Sequence, residues 1–429
     1  PEGESHDEKF NPDLFEQYDI VALSVMTPQA PDAYKISKLL NSKYPRTTTV
    51  IGGSHPRYYQ SSVENLEDKI SFDFVVPQDG WKPMLDIATG AVRKGSKTQI
   101  LTDQSVNLDS IPPPTRPKAL MERYKFGLGG DPAWHTITAL GCPFSCNFCE
   151  SAYERVRPFS EKVIRADLET MAKAHSELGH ERYGVMIFDD VGLMKPKQVE
   201  KLSRLISETG YSSWRAFTHA YLVVRHKEDL LGPFKETGGQ RIGVGLETGS
   251  QMSLNIINKR NGQRQSVEEH IEAVKIANAM GIAVDSFTMI YPWEDEKDLE
   301  DTTRMLKIIS ENPVNGVDSK GRPLRNHVDS TIMSPYQGTP FRQMFELLTS
   351  TGNVTDKLRK RWKQFTDKEI EYFLKRLKTV EVKPDLDPGL MWYKGVGGSS
   401  AWPYNKTYLP KERYEEEQRK RIAFRPKYR

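Results

Sequence analysis

The stretch TALGCPFSCNFCES, residues 138 to 151, holds all three cysteines of this 429-residue chain. Cys142, Cys146 and Cys149 lie within eight residues, in the spacing C-x3-C-x2-C. An odd number of cysteines without distant pairs argues against a disulfide framework and fits a reducing compartment. The spacing is short enough for the three thiolates to act on one inorganic centre.

Two inorganic centres are compatible with this loop. Zinc takes four protein ligands in a structural site, or three and a water in a catalytic one. Residues 134 to 160 offer only His135 as a nearby nitrogen ligand. A four-iron cluster held by three thiolates leaves one iron open to a substrate or a cofactor. The cysteines therefore predict an iron–sulfur cluster with an open iron, and zinc is the alternative.

The composition predicts a soluble protein that makes no use of a membrane. Charged residues make up 28% of the sequence, and the longest apolar runs have the length of a strand. A membrane-spanning helix needs about 20 apolar residues. The sequence begins without a basic and apolar leader, so we expect a cytoplasmic protein.

The basic residues concentrate near the carboxyl terminus. Residues 356 to 429 hold more lysine and arginine than aspartate and glutamate, although the net charge of the chain is only +3. Acidic residues interrupt the basic runs, which is typical of a solvated helix face. We therefore expect no nucleic-acid partner. A zinc-binding or nucleic-acid-binding module is the alternative from a different functional class.

Alternating strand and helix patterns predict an α/β protein with a boundary near residue 91. Residues 1 to 90 combine short apolar strands with an amphipathic helix, which indicates parallel βαβ pairing. Residues 91 to 133, with the stiff segment IPPPTRP, form the predicted linker. Residues 134 to 345 predict a partial (β/α)6, TIM-like barrel with its chemistry at the carboxyl ends of the strands. Residues 346 to 429 are predicted to be a helical extension. The predicted strands cover residues 19–25, 47–53, 72–76, 135–140, 184–190, 214–219, 241–247, 283–290 and 327–333.

The cysteine spacing, with Phe148 before the last cysteine, resembles the signature of the radical S-adenosylmethionine (SAM) superfamily. The resemblance implies a 4Fe–4S cluster on Cys142, Cys146 and Cys149, whose open iron chelates the amino and carboxylate groups of SAM. It also implies that Phe148 packs beside the adenine. In this family one electron from the reduced cluster cleaves SAM to methionine and a 5′-deoxyadenosyl radical, which abstracts hydrogen from the substrate.

Further polar clusters at predicted strand ends match this family in their order: IFDD, VGLETGS, TMIYPWED and SPYQGTP. The resemblance implies that Asp189 and Asp190 stand where the family meets the methionine amino group, and Glu247 where it meets the ribose. Aspartates at a strand end also cap the following helix, so a structural role for this pair stays open. TMIYPWED departs from the G-x-P turn that is usual beside the adenine.

The amino-terminal domain resembles cobalamin-binding domains of the flavodoxin-like, Rossmann-type kind. Ser24 and Thr27 in SVMT, and Gly52 and Gly53 in GGSH, end successive strands as S-x-T and G-G do in that family. Small residues there let the nucleotide tail of the corrinoid lie between strand ends. The D-x-H-x-x-G segment of the family is missing and is expected upstream of Pro1, which predicts a truncated domain. PQDGW replaces the usual G-E-G-E.

Together the two resemblances imply a cobalamin-dependent radical SAM enzyme of the group that includes class B methylases and anaerobic porphyrin ring cyclases. Methyl transfer to a carbon or phosphorus centre of a small-molecule or peptide substrate is the first expectation. Cyclisation or another rearrangement is the alternative. The expected one-electron reductant is of the flavodoxin or ferredoxin type. With all three cysteines committed, the chain has no cysteine for an auxiliary cluster.

Other histidines are predicted to be structural. His175 falls on the apolar stripe of a predicted helix and should be packed, while His55 and His219 should be hydrogen-bonded loop residues. Trp392 and Trp402 fit a substrate pocket and a lid packed on the barrel equally well.

Overall fold

The structure is a computed structural model that describes residues 12–58, 72–102, 106–152, 154–383 and 402–426. The chain divides into two compact units, and the main boundary falls between Ser110 and Ile111. Tyr336–Gly338 belong to the first unit by the same division. Each unit has its own sheet and its own hydrophobic core.

The first unit contains a parallel sheet of four strands. The strands are β1 Ile20–Ser24, β2 Thr48–Gly52, β3 Phe74–Val75 and β4 Gln99–Ile100, and the helices are α1 Ala30–Lys43, α2 Ser54–Tyr58 and α3 Trp81–Ala88. The strand order is β1-β2-β3-β4, which confirms the predicted βαβ pairing. Ser24 pairs with Gly52 in register, so the two strand-end motifs lie side by side at the carboxyl edge of the sheet.

Both faces of this sheet are covered by helices. Side chains point alternately to opposite faces of a strand, so Ile51 packs with Ala33 of α1 and Val50 packs with Ile87 of α3. Burial on both faces explains why these strands read as continuous apolar runs in the sequence.

The fourth strand corrects the domain limits drawn from the sequence. Gln99 and Ile100 pair in parallel with Phe74 and Val75, although the sequence places them in the linker. A strand of two residues is too short to leave a periodic pattern, and its position is set by pairing with β3. The first unit therefore extends to Ser110.

The second unit is a half-barrel of six parallel strands with an antiparallel strand at one edge. The strands are β5 Gly127–Leu128, β6 Asp131–Thr136, β7 Ala139–Leu140, β8 Arg157–Pro158, β9 Gly184–Ile187, β10 Ser213–Thr218, β11 Gly239–Glu247, β12 Ala283–Ile290, β13 His327–Ile332, β14 Glu381–Val382 and β15 Tyr404–Lys406. The helices are α4 Lys118–Met121, α5 Glu161–Glu177, α6 Pro196–Glu208, α7 Ala220–Glu236, α8 Gln251–Ile257, α9 Val267–Ala279, α10 Glu296–Glu311, α11 Pro340–Thr351, α12 Asp356–Arg359, α13 Asp367–Leu377 and α14 Lys411–Ile422. The order of the main sheet is β13-β12-β11-β10-β9-β6-β5, so the predicted partial barrel is confirmed.

Local signals in the sequence set the ends of the barrel helices. The hydroxyl of Ser266 accepts a hydrogen bond from the backbone N–H of Glu269 at 3.1 Å and caps α9. Gly281 follows that helix with a φ of 74°, a left-handed conformation that glycine adopts without strain. Ser266 and Gly281 therefore define the two ends of this helix locally.

Most of the carboxyl-terminal extension, up to Val382 and from Tyr404 onward, belongs to the second unit, whereas Lys383–Pro403 are assigned to the first. The hydroxyl of Tyr414 in α14 donates to the carbonyl of Pro292 at 3.0 Å. Arg421 is fully buried, pairs with Glu417 at 3.4 Å and donates to the carbonyl of Leu299 at 3.3 Å. These basic and aromatic side chains therefore work inside the fold. Every helix among the described residues is too short or too polar to traverse a lipid bilayer.

Candidate active site

The cysteine loop follows the first parallel strand of the half-barrel. β7 and β8 pair antiparallel and close the loop, and its three cysteines form no disulfide. Gly141 precedes Cys142 with a φ of 85°, and a Cβ at this position would lie 2.4 Å from the carbonyl oxygen of Arg155. Only glycine allows the chain to turn into the loop here.

Hydrogen bonds from distant segments hold the loop. The buried side chain of Asn147 donates to the carbonyl of Ile256 at 2.7 Å, and its backbone N–H donates to the carbonyl of Ile257 at 2.9 Å. Arg361 donates to the carbonyl of Ser145 at 2.8 Å. The conformation of the loop therefore depends on tertiary contacts with the end of α8 and with the segment after α12.

Burial raises the pKa of all three cysteine thiols, that of Cys149 to about 12. The charges of Cys149 and Cys142 also raise the pKa of Cys146, which places the three sulfurs within reach of one another's charge. Lys259 acts in the opposite direction and lowers the pKa of Cys142 and Cys146. A cationic metal centre would stabilise all three thiolates in the same way.

The donor set fits an iron–sulfur cluster better than zinc. Three sulfurs on one loop match the ligands of a cubane with one open iron. Among the described residues, no group of three or more His, Cys, Asp or Glu side chains lies in metal-ligating geometry. His135, the candidate nitrogen ligand, packs edge-on against Phe126 and Phe188 at ring-centroid distances of 4.8 and 4.4 Å.

A buried ion pair lies at the end of β11. Glu247 has a φ of 63°, and its Oε1 accepts a hydrogen bond from Nζ of Lys259 at 2.6 Å. The two side chains are only 9% and 7% exposed. Burial alone would lower the pKa of Lys259, but the carboxylate of Glu247 and the nearby thiols outweigh it and raise that pKa. A Cβ on Gly245 would lie 2.2 Å from Oε1 of Glu247, so the ion pair requires glycine there.

The two aspartates after β9 have different surroundings. Asp189 is buried, and its oxygens accept from the backbone N–H of Thr138 at 2.6 Å and from its hydroxyl at 2.5 Å. Burial raises the pKa of Asp189 in spite of these bonds. Asp190 is exposed, and its charge raises the pKa of Cys142 and of Cys149. Asp189 therefore ties β9 to the entrance of the cysteine loop, and Asp190 is the carboxylate close to the thiols.

The turn after β12, which lacks the G-x-P pattern, is filled by its own side chains. Tyr291 and Trp293 are fully buried and stack with their ring centroids 4.8 Å apart. Glu294 accepts from the backbone N–H of Tyr291 at 3.1 Å and from the hydroxyl of Thr248 at 3.0 Å. Burial raises the pKa of Glu294 to about 7. The ring of Phe148 lies 6.5 Å from that of Tyr291, so this aromatic cluster borders the cysteine loop.

Small residues occupy the carboxyl edge of the sheet in the first unit. Ser24 is exposed, and a Cβ on Gly52 would come no closer than 3.5 Å to its nearest neighbour, the carbonyl oxygen of Val76. Gly53 has a φ of 93°, and a Cβ there would lie 2.6 Å from the backbone nitrogen of Val25. The backbone itself therefore requires Gly53, whereas Gly52 leaves space at the strand end.

Thr27 and His55 of the same unit are turned inward. Both are buried, and Nδ1 of His55 lies 3.4 Å from the hydroxyl of Thr27. Nε2 of His55 lies 2.6 Å from the hydroxyl of Tyr34. Burial lowers the pKa of His55 to about 4. The prediction that His55 is a hydrogen-bonded structural residue is confirmed, and Thr27 supports it from inside the unit.

The other histidines also have structural surroundings. His175 is fully buried between Trp134 and Tyr183, with ring-centroid distances of 3.6 and 4.7 Å, as its helix stripe predicts. Nδ1 of His219 accepts from the backbone N–H of Tyr221 at 3.2 Å and caps α7. Of the two tryptophans considered for a pocket, Trp402 is partly buried and Trp392 lies outside the described residues.

Sequence reasoning missed Lys259 and Arg361, which support the cysteine loop from other parts of the chain. One local signal for Lys259 exists. Asn258, directly before it, adopts a φ of 52° at the end of α8, and asparagine is a common left-handed residue at helix ends. No comparable local pattern marks Arg361, because its partners are backbone and amide groups of a segment more than two hundred residues earlier.

Two family models match separate parts of the chain. Residues 136–306 match the model described as the radical SAM superfamily, and residues 14–87 match the B12 binding domain. The first match contains the cysteine loop, both aspartates after β9 and Glu247. The second contains both strand-end motifs of the first unit.

Curated relatives and a solved structure extend these matches. An uncharacterized methyltransferase of Pyrococcus horikoshii is 26% identical over 77% of this chain and 69% of its own. The anaerobic magnesium-protoporphyrin IX monomethyl ester cyclase of Rubrivivax gelatinosus is 23% identical over 67% of this chain. The chain spans only 54% of that relative's length.

The solved structure is that of TsrM from Kitasatospora setae, a radical SAM methyltransferase with cobalamin and a 4Fe–4S cluster bound. The match has a TM-score of 0.52 at 12% identity and covers 79% of this chain and 66% of that one. At this level of identity the likeness establishes a shared fold.

Replacing Lys259 with Met is expected to destabilise the protein by about 3 kcal/mol or more, because the carboxylate of Glu247 would stay buried without its cation. The double variant Lys259→Met/Glu247→Gln removes both charges and should recover most of this loss. Urea unfolding of the protein without added iron measures both free energies. Equal stability of wild type and Lys259→Met would contradict the buried ion pair.

Proposed function

We propose that this chain, in which residues 136–306 match the radical SAM superfamily model and residues 14–87 the B12 binding domain model, transfers a methyl group to an unactivated carbon or phosphorus centre of a small molecule or peptide. The observation that carries the proposal is the presence in one chain of a three-cysteine loop on a half-barrel and a small-residue edge on a second parallel sheet. The names of the Pyrococcus relative and of TsrM, both methyltransferases, support methyl transfer.

The cysteine loop supplies the ligands of the metal centre in this proposal. Cys142, Cys146 and Cys149 hold a 4Fe–4S cluster, and Lys259 keeps a positive charge near their thiolates. When bound, the cluster supplies the electron that cleaves SAM to methionine and a 5′-deoxyadenosyl radical, and methylcobalamin supplies the methyl group. Gly141 allows the turn into the loop, and Asn147 ties the loop to the end of α8.

Two carboxylates and one ring are assigned to SAM. Asp190 is assigned to the methionine amino group, because its charge reaches the thiols of Cys142 and Cys149 and raises their pKa. Glu247 holds Lys259 through Oε1, and we assign Oε2 to the ribose hydroxyls. Phe148 is assigned to the adenine. Asp189 acts through Thr138, because both of its oxygens accept hydrogen bonds from that residue.

The carboxyl edge of the first sheet is assigned to cobalamin. Ser24 is exposed there, and Gly52 presents no side chain, so the nucleotide tail of a corrinoid can approach the backbone. Gly53 and Thr27 maintain the turn after each strand. Ligands of open parallel sheets bind at this edge, which supports the assignment.

Cyclisation is the second candidate reaction. It is supported by the 23% identity to a cyclase that acts on magnesium-protoporphyrin IX monomethyl ester. Both reactions begin with removal of a hydrogen atom from the substrate, so the SAM-binding residues proposed above serve either one.

The proposal includes an electron donor and a compartment. The chain has no cysteine beyond the three in the loop, so the electron must come from outside, and a flavodoxin-type or ferredoxin-type protein suits a one-electron step. Thiols that remain unpaired support a reducing compartment such as the cytoplasm.

Anaerobically reconstituted protein is expected to bind about four irons per chain and to release 5′-deoxyadenosine from SAM when dithionite is added. Cys146→Ala should lose both properties, because two thiolates do not retain a cubane. Ser176→Ala, which removes an exposed hydroxyl on α5, is the control and should keep both. Iron analysis and chromatography of the products measure the two properties. A stoichiometric zinc content with no brown chromophore in the wild type would refute the cluster.

Wild-type protein incubated with hydroxocobalamin and desalted is expected to retain about one corrinoid per chain, as measured by its visible absorbance, by analogy with ligand binding at other open α/β sheets. Gly52→Val should retain much less, because a branched side chain fills the space at the strand end. Gly52→Ala is the matched smaller change. Both variants should keep the iron content of the wild type. Equal corrinoid retention by Gly52→Val and wild type would reject this edge as the site.

A further inference from the structure

Solvent reaches the inner face of the half-barrel near the ends of its strands, whereas helices cover the outer face. At the end of β9, Ile187 is fully buried under the helices, whereas the next residue, Phe188, is 46% exposed. β10 repeats this pattern, with Ala216 fully buried and Phe217 partly exposed. Since side chains alternate between the faces of a strand, the inward set borders a lumen that solvent reaches.

Five rings from neighbouring segments form a continuous surface in this lumen, which we call the aromatic wall. Its members, in order, are Phe126, His135, Phe188, Phe217 and Phe287. Successive ring centroids are 4.8, 4.4, 5.5 and 5.9 Å apart, distances typical of attractive edge-to-face and tilted pairs. β11 contributes Gly243 at this level, where a Cβ would lie 2.5 Å from the ring of Phe217. Because Gly243 has no side chain, the ring of Phe217 can lie against β11 at this position.

Two arginines share one carboxylate beside the aromatic wall. Nε of Arg215 donates to Oδ2 of Asp285 at 2.7 Å, and Nη1 of Arg241 donates to Oδ1 of the same residue at 2.6 Å. The guanidinium of Arg215 also lies 4.5 Å from the ring centroid of Phe217. Arg215 and Asp285 are only 10% and 12% exposed, so their charges are poorly screened by water.

The ionisable groups around this triad leave it with an excess of positive charge. Burial and the charge of Arg215 lower the pKa of His135, and burial lowers the pKa of His327 next to Asp285 on β13. Both imidazoles are therefore neutral at neutral pH. Asp329, the next inward residue of β13, is paired with Arg425. Two guanidinium charges thus face one carboxylate, and an additional anion would be attracted to this end of the lumen.

We propose that the lumen binds a flat, unsaturated ring system that carries an anionic group, with the ring against the aromatic wall and the anion on Arg215. A planar guanidinium that stacks on an aromatic ring suits carboxylates and phosphates, which it can bind through two parallel hydrogen bonds. Glu247 follows Gly243 by four residues, about 13 Å along the strand. A molecule anchored at Arg215 and lying along the wall therefore extends toward the residues assigned to SAM. This assignment of a substrate class rests on the proposed radical SAM function.

The test measures the affinity of the full-length protein for 2-naphthoate and for its uncharged analogue 2-naphthamide by isothermal titration calorimetry. Wild type is expected to bind the carboxylate about tenfold more tightly or better, as for a charge-assisted hydrogen bond. Arg215→Met should lose this preference. Phe217→Leu should weaken binding of both probes. Arg204→Met, on the outer surface of α6, is the matched control and should keep the preference of the wild type.

A wild type that binds the two probes equally, or a preference that survives in Arg215→Met, would overturn the proposal. If Arg215→Met does not fold, Arg215→Gln, which removes the same charge but keeps a hydrogen-bond donor beside Asp285, is measured instead. Iron content and SAM cleavage without substrate are determined on the same preparations. If the protein binds iron and cleaves SAM but shows no preference for naphthoate, the lumen proposal is wrong and the proposed function stands. If the protein forms no cluster, the proposed function is wrong. The naphthoate measurement then still decides whether the lumen binds such an anion.

Discussion

The buried contact between Glu247 and Lys259 is the constraint on which the candidate site depends. It joins the carboxyl end of β11 to Lys259, two residues after α8. The last carbonyl groups of α8 accept hydrogen bonds from Asn147 of the cysteine loop. Sγ of Cys146 lies 4.0 Å from the carbonyl oxygen of Lys259, so this residue also contacts the cysteine loop. Removing one charge would leave the other buried without a partner, which costs several kcal/mol. One ion pair therefore couples the carboxyl end of β11 to the cysteine loop.

The half-barrel uses the two faces of its strands for different tasks. The outward side chains pack under the helices and form the main hydrophobic core. The inward side chains follow one another along the strands. Arg215 is in register with Arg241, while Phe217 and Asp285 are in register with Gly243 two residues further along, and Glu247 lies at the carboxyl end of β11. Positive charge, aromatic surface and the Glu247–Lys259 ion pair thus follow one another along the lumen. This arrangement explains why polar and glycine residues interrupt the barrel strands at inward positions without weakening the core.

The sequence predicts the parts of this structure that depend on local patterns. The six barrel strands, the capped helix after Ser266 and the three-cysteine loop all follow from spacing within a few residues. The hydrogen-bond and ion-pair partners of buried polar groups cannot be predicted from such spacing. Thr138 holds Asp189 and Lys259 holds Glu247 across the fold, and the triad around Asp285 draws on three strands. Periodicity marks which residues are inside, but the pairing of inward charges is decided only when the strands are assembled.

The central claim is that three thiolates from this chain leave one iron of the cluster open to SAM. Pulsed electron–nuclear double resonance on the reduced cluster, with SAM that carries 15N at its amino group, tests the claim directly. The account predicts a 15N hyperfine coupling that appears with the labelled cofactor and is replaced by the 14N signal with unlabelled SAM. A reduced cluster in SAM-saturated protein that shows no such coupling would contradict the account, because the amino group would then not be bound to iron.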